Sequence, residues 1–119
     1  MLLASGVCRV AQLEEAGVRV GLGVDGSASN DGSNMIQEVR QAFLIQRLAS
    51  QLSQSDAAPV SHVDALRWAT SGSAELIKRP ELGRITKGAA ADIALFSLDE
   101  PRFSAVSYTH LTLPTTPYV

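Results

Sequence analysis

A β-branched, glycine-containing run, VRVGLGV at residues 18–24, leads without a break into a small polar loop, DGSASNDGS at 25–33. A long amphipathic segment follows. Residues 18–24 are apolar at most positions, which predicts a strand covered on both faces, as in a parallel sheet. Gly17 just before it fits the stop of a short helix over 10–16. In 34–52, Met35, Val39, Ala42, Ile45, Ala49 and Leu52 recur at steps of three and four. That spacing predicts one helix with those side chains toward the core. Glu38, Arg40, Gln46 and Arg47 mostly lie off the stripe and are expected to be solvated. Strand, polar loop and long helix form the repeating unit of an α/β fold, and the unit places Asp25 at the C-terminal end of its strand.

The rest of the chain follows the same reading and then changes character. Residues 53–59 are a polar linker. Ser61, with Asp64 three residues on, resembles a capping box and starts a helix over 63–71. Trp68 falls on its apolar side with Ala65 and Leu66 and is expected in the core. A further short helix over 74–78 ends before Pro80. Residues 82–85 and 91–96 read as short strands, so an α/β body hands over to a β segment. The expected divisions are 1–80 for the body, 81–105 for the β segment and 106–119 for a tail. The tail carries no Asp, Glu, Lys or Arg. Its residues 106–115 resemble a transposon-end sequencing adaptor translated in one frame, so the native sequence is expected to stop near Ala105. His110 lies in that tail and receives no functional weight.

Composition narrows the class. The chain has 119 residues, 45% hydrophobic and 18% charged, with a net charge of −2. These are the proportions of a soluble globular domain. The charge gives no reason to expect nucleic acid or an anionic membrane as partner. No apolar run approaches the roughly 20 residues of a membrane span. The single cysteine, Cys8, excludes an internal disulfide and fits a reducing cytoplasm. With no His or Cys nearby in sequence, Cys8 is expected to be a buried small residue.

The loop itself admits several readings. Residues 21–26 fit G-x-G-x-x-G, but a dinucleotide site needs a helix to begin at the last glycine. Here a loop continues for several residues, and Asp25 would repel phosphate from inside the cradle. A calcium loop fails as well: counting from Asp25, the sixth position is Asn30 rather than glycine and the twelfth is Ile36 rather than glutamate. Two readings of Asp25 remain. It is a carboxylate serving a metal or a proton transfer at the strand end, or it caps the loop through Asx-turn hydrogen bonds.

Three blocks resemble the amidohydrolase superfamily, in its branch of cyclic-amidine deaminases and chlorohydrolases. Met1-Leu-Leu-Ala-Ser-Gly6 is similar to the end of the family's seventh-strand loop, which reads Asn-Met-x-Leu-x-Ser-Gly. Residues 21–31 resemble the eighth-strand segment, in the form found in the 8-oxoguanine deaminase group. Ala65-Leu-Arg-Trp-Ala-Thr70, followed by Gly83-Arg-Ile-Thr-Lys-Gly-Ala-Ala-Ala-Asp92, resembles the family's return into a β-sandwich.

The resemblance implies the C-terminal portion of a (β/α)8 metal-dependent hydrolase barrel running into a small β-sandwich. It implies one divalent metal, zinc or alternatively iron, that activates water for attack on an amino-bearing ring carbon. Asp25 matches the aspartate that touches the metal and shuttles the water proton. Ser27, Ser29 and Asn30 match the loop behind it, as substrate-binding or loop-orienting residues. A purine-like small molecule, 8-oxoguanine or guanine first, is the implied substrate, with an oligomer possible.

The chain departs from the family in its ligands. The family takes most metal ligands from histidines on earlier strands and its acid from a glutamate, all upstream of the matched positions. His62, at the first turn of a helix, is expected to be solvated. The chain is therefore expected to be a C-terminal fragment, inactive by itself. The alternative is a small non-catalytic α/β binding or scaffold domain.

Overall fold

A computed structural model describes residues 5–53 and 59–97. Its helices are α1 (Val10–Glu15), α2 (Met35–Leu52), α3 (His62–Arg67) and α4 (Ser73–Leu76), with a π turn, Trp68–Gly72, joining α3 to α4. No helix among the described residues is long and apolar enough to cross a membrane.

Each helix start has a local cause. Asn34 caps α2: its side chain accepts from the backbone N–H groups of Ile36 at 3.0 Å and Gln37 at 3.3 Å. Ser61 and Asp64 form the expected capping box on α3, each side chain bonding the other's backbone N–H. Gly17, at φ +78°, ends α1 in the left-handed conformation that glycine adopts without steric cost. The helices expected over 63–71 and 74–78 are one continuous run, because the π turn carries the chain through Trp68–Gly72 without a break.

The core gathers where α1, α2, α3 and the 20–22 segment meet. Val60, Ala65 and Trp68 are buried, and Val10, Ala11, Val20, Leu22, Val39, Ala42 and Phe43 pack against them. Trp68 thus takes its expected place. Leu52 does not: it is 76% exposed, because α2 ends there beyond the core. Gln46, expected in solvent, is buried instead. Its Oε1 accepts from Val10 N at 3.2 Å and its Nε2 donates to the Cys8 carbonyl at 2.7 Å, so it pins the start of α1 to α2. Cys8 is exposed rather than buried, although its carbonyl is engaged by Gln46 of α2.

No strand occurs among the described residues. Strands are defined by a partner ladder, and within 18–24 the Leu22 backbone bonds in another way. Leu22 N–H donates to the Trp68 carbonyl at 3.0 Å and to Ser73 Oγ at 3.1 Å. Ser73 Oγ in turn donates to the carbonyls of Leu22 at 3.1 Å and Trp68 at 2.8 Å. The expected strands at 82–85 and 91–96 are also absent. There Ile85 is 85% exposed and Leu95 94% exposed, with nothing described lying over them. The tail division at 106–119 lies outside the described residues.

The grip on 18–24 needs close backbone approach. A Cβ on Gly72 would stand 2.5 Å from the Val20 carbonyl oxygen and 3.1 Å from that of Arg67, both of them backbone atoms that cannot swing away. Gly72→Ala in the full-length protein is therefore expected to cost about 1–3 kcal/mol, the range for overpacking a filled site. Denaturant unfolding checks this, and an unchanged midpoint would contradict the close packing.

Candidate functional site

Asp25 stands where residues 18–24 run out into the polar loop, and its backbone is unusual. Its φ is +63°, a left-handed conformation that few non-glycine residues adopt. The carboxylate is held within the loop. Oδ1 accepts from Gly26 N–H at 2.8 Å and Oδ2 accepts from the Ser29 hydroxyl at 2.5 Å. The Ser29 hydroxyl bond, then the Gly26 amide bond, keep the Asp25 carboxyl below its ordinary value by favouring the ionised form.

The loop closes around Gly26. Its carbonyl accepts from Ser29 N at 3.0 Å and Asn30 N at 2.9 Å. Asn30 Nδ2 donates to the Val24 carbonyl at 2.8 Å and to Glu38 Oε1 at 2.6 Å, while Oδ1 accepts from Gly32 N at 3.1 Å. Three of the four expected site residues, Asp25, Ser29 and Asn30, thus form one network. Ser27 is exposed and outside it.

Asp25, Ser29 and Asn30 border an open depression of about 910 Å³ between the loop, α2 and residues 5–8. Leu22, Val24, Ala42 and Ile45 give it apolar walls, and Asp31 and Glu38 add two more carboxylates to its lining. Glu38 was expected in solvent. It is half-buried instead and takes the Asn30 amide, because it sits in the first turn of α2, directly after the loop. Its place one turn past the Asn34 cap is the signal that could have marked it. Gln46 carried a signal too: it lies four residues after Ala42 and three before Ala49, on the buried stripe itself.

His62 is the exposed first residue of α3, its ring edge-on to Phe43 with centroids 6.5 Å apart. No group of three or more His, Cys, Asp or Glu side chains that could hold a metal ion occurs among the described residues. A catalytic zinc takes about three protein ligands. Asp25, ionised and bordering an open depression, has the chemistry of one such donor; the described residues do not furnish the set.

Comparison with known proteins now decides the family. The model of the amidohydrolase family matches residues 1–116. The chain belongs to the amidohydrolase family. It is 54% identical over 104 residues to an 8-oxoguanine deaminase of Pseudomonas aeruginosa, covering 87% of this chain and 22% of that protein. It is 39% identical over 111 residues to an isoxanthopterin deaminase from an unknown prokaryotic organism, covering 85% of this chain and 23% of that one. A crystal structure of a triazine hydrolase variant superposes with a TM-score of 0.75 at 40% identity, covering 88% of this chain and 23% of that chain. This amidohydrolase chain is thus a partial one, spanning less than a quarter of the length of these relatives. The likeness extends to the fold: the described helices and the Asp25 loop belong to a chain that superposes on a solved amidohydrolase. Family members are generally metal-dependent hydrolases, and the relatives named here include deaminases.

The Ser29 bond makes a measurable claim about the loop. Ser29→Ala removes the largest cause of the Asp25 shift, so the Asp25 carboxyl is expected to rise toward its ordinary value. A depressed carboxyl contributes stability that is present above its unfolded value and lost as pH falls through the folded one. The variant should therefore be less stable than the parent above that acid window, and the difference should vanish as pH falls through it. Carboxyl-carbon NMR titration of Asp25 checks it; an identical titration curve would show that the Ser29 bond does not form in solution.

Proposed function

We propose that this chain is the C-terminal part of a cytoplasmic, metal-dependent aminohydrolase that hydrolytically deaminates a purine or related cyclic amidine, 8-oxoguanine or guanine first. The observation that carries the reading is Asp25: an ionised carboxylate, locked by Gly26 and Ser29, at the edge of an open depression. The 54% identity to an 8-oxoguanine deaminase supports the substrate class. The triazine hydrolase likeness supports placing residues 18–24 as the last strand of a (β/α)8 barrel, paired in the full-length protein by strands outside this chain. Residues 81–105 would return into its β-sandwich, with 106–119 a non-native tail.

In this reading Asp25 is one ligand of a divalent ion, zinc first or iron. The ion supplies Lewis-acid activation of water and neutralises charge at the reacting centre. The carboxylate of Asp25 does the rest of what this chain contributes. It presents a fixed negative charge, accepts a proton at a carboxylate oxygen as water attacks the ring carbon, and returns that proton to the amino group, which leaves as ammonia when the C–N bond breaks. Gly26 N–H and the Ser29 hydroxyl hold it in one orientation, so no reorganisation accompanies the transfer. Asn30 braces the loop, and Ser27, exposed beside it, is free to meet substrate.

Exposed apolar side chains favour this over a self-contained scaffold domain. Ile85, Leu95 and Leu52 are 85%, 94% and 76% exposed, which a longer protein would cover.

In the full-length enzyme Asp25→Asn is expected to lower kcat/KM by at least about a hundred- to ten-thousand-fold, the usual worth of a general base. Asparagine forms the same loop but can neither balance the metal's charge nor take the proton. A loop-capping role would leave activity within about threefold of the parent, since asparagine serves an Asx turn equally well. Turnover, metal content and circular dichroism on the same samples separate the two.

The 119-residue chain by itself is expected to show no deaminase activity and weak zinc binding, because its described residues offer no group of the about three donors that a catalytic zinc takes. Ammonia release from 8-oxoguanine or guanine by the metal-loaded chain would overturn this.

A further inference from the structure

Asp25 holds a backbone conformation that costs a non-glycine residue free energy, and such a conformation persists only where its surroundings over-determine it. Asn30 supplies that constraint from both sides. Its side-chain Nδ2 donates to the carbonyl of Val24, the residue before Asp25, at 2.8 Å. Its backbone N–H donates to the carbonyl of Gly26, the residue after, at 2.9 Å. Asn30 brackets the carboxylate, and its own amide must be oriented to do so. A primary amide can be turned end for end, and only one orientation gives Val24 a donor.

Glu38 sets that orientation. Its Oε1 accepts from Asn30 Nδ2 at 2.6 Å, a charge-assisted bond to the amide's second hydrogen. With two acceptors, the Val24 carbonyl and the Glu38 carboxylate, facing the same end of Asn30, the NH2 must lie there. Its Oδ1 is then left for Gly32 N–H at 3.1 Å. Glu38 stands on α2, an 18-residue helix packed on the core through Val39, Ala42 and Phe43. The bond therefore ties a polar loop to a rigid element.

We propose that Glu38 is a positioning residue for Asp25: from α2 its carboxylate holds the Asn30 amide that brackets Asp25, and so keeps the Asp25 carboxylate at the depression. The role rests on the reading of Asp25 given above. Glu38 need not touch substrate or metal to fill it.

The test uses the full-length enzyme with Glu38→Ala, Glu38→Gln and Asp25→Asn side by side. Glu38→Gln keeps an oxygen acceptor for Asn30 without the charge. Glu38→Ala is expected to lower kcat by about ten- to a hundredfold, the scale of a misplaced catalytic group. KM should stay within about threefold, since substrate binding is not what is lost. Helix content and metal content should match the parent, while amide hydrogen exchange at Asn30 becomes faster, a readout independent of turnover. Glu38→Gln should restore kcat to within about threefold of the parent and restore slow exchange. The positioning role is overturned by a Glu38→Ala enzyme with parental kcat, by unchanged exchange at Asn30, or by Glu38→Gln as slow as Glu38→Ala. Parental turnover in Asp25→Asn would sink the reading of Asp25 itself and this role with it. An inactive Asp25→Asn beside a fully active Glu38→Ala would sink the positioning role alone.

Discussion

Burial of Trp68 is the contact through which the parts of this chain meet. At 1% exposure it lies among side chains from α1, α2, α3 and the 20–22 segment. Burying a side chain of this size contributes about 1.5–3 kcal/mol from apolar area alone. Its Nε1 has no hydrogen-bond partner among the described residues, which offsets part of that gain by about 1–3 kcal/mol. Position explains why the residue matters beyond that near balance. Trp68 begins the π turn, and its carbonyl is what Leu22 N–H bonds in place of a neighbouring strand. The same residue therefore fills the core and holds the backbone that leads to Asp25.

From Leu22 onward, the structure is a sequence of hydrogen bonds that grows tighter toward the carboxylate. Ser73 and the Trp68 carbonyl hold Leu22, Asn30 holds Val24 and Gly26, and Gly26 and Ser29 hold Asp25 itself. From Val24 to Asn30 the bonds are local and made largely with backbone groups, so the loop keeps its shape although most of its residues are exposed. π turns inside helices are frequent at functional sites. Here the Trp68 carbonyl at the start of the turn also accepts from Leu22 in the segment that leads to the candidate catalytic residue.

The exposed apolar residues fit the proposal that this chain is part of a longer folded unit. Ile85, Ile93, Leu95 and Phe96 are all exposed, in a region whose sequence reads as strand. Strand propensity expresses fit to a pleated, half-buried surface, and it is realised only when a partner supplies the ladder. The chain spans less than a quarter of its relatives' length, and among the described residues none of these segments has a strand partner.

Sequence determined what depends on near neighbours. Asn34 and the Ser61–Asp64 pair announce helix starts, Gly17 announces a stop, and the three-and-four spacing announces α2, because capping and periodicity act within a turn or two. The motif at 21–31 placed Asp25, Ser29 and Asn30 together, since the loop that joins them is closed by its own residues. Tertiary structure decided the rest. Gln46 is buried because α1 arrives over it with an unpaired N–H and carbonyl, and Glu38 is engaged because the loop folds back onto the first turn of α2. Cys8 is exposed and Leu52 projects past the core for the same kind of reason: burial belongs to what packs over a residue, not to the residue. Residues 18–24 have the composition of a strand, yet no strand forms there, because pairing is a relation between distant segments. In this chain the Leu22 backbone is met by Trp68 and Ser73 instead.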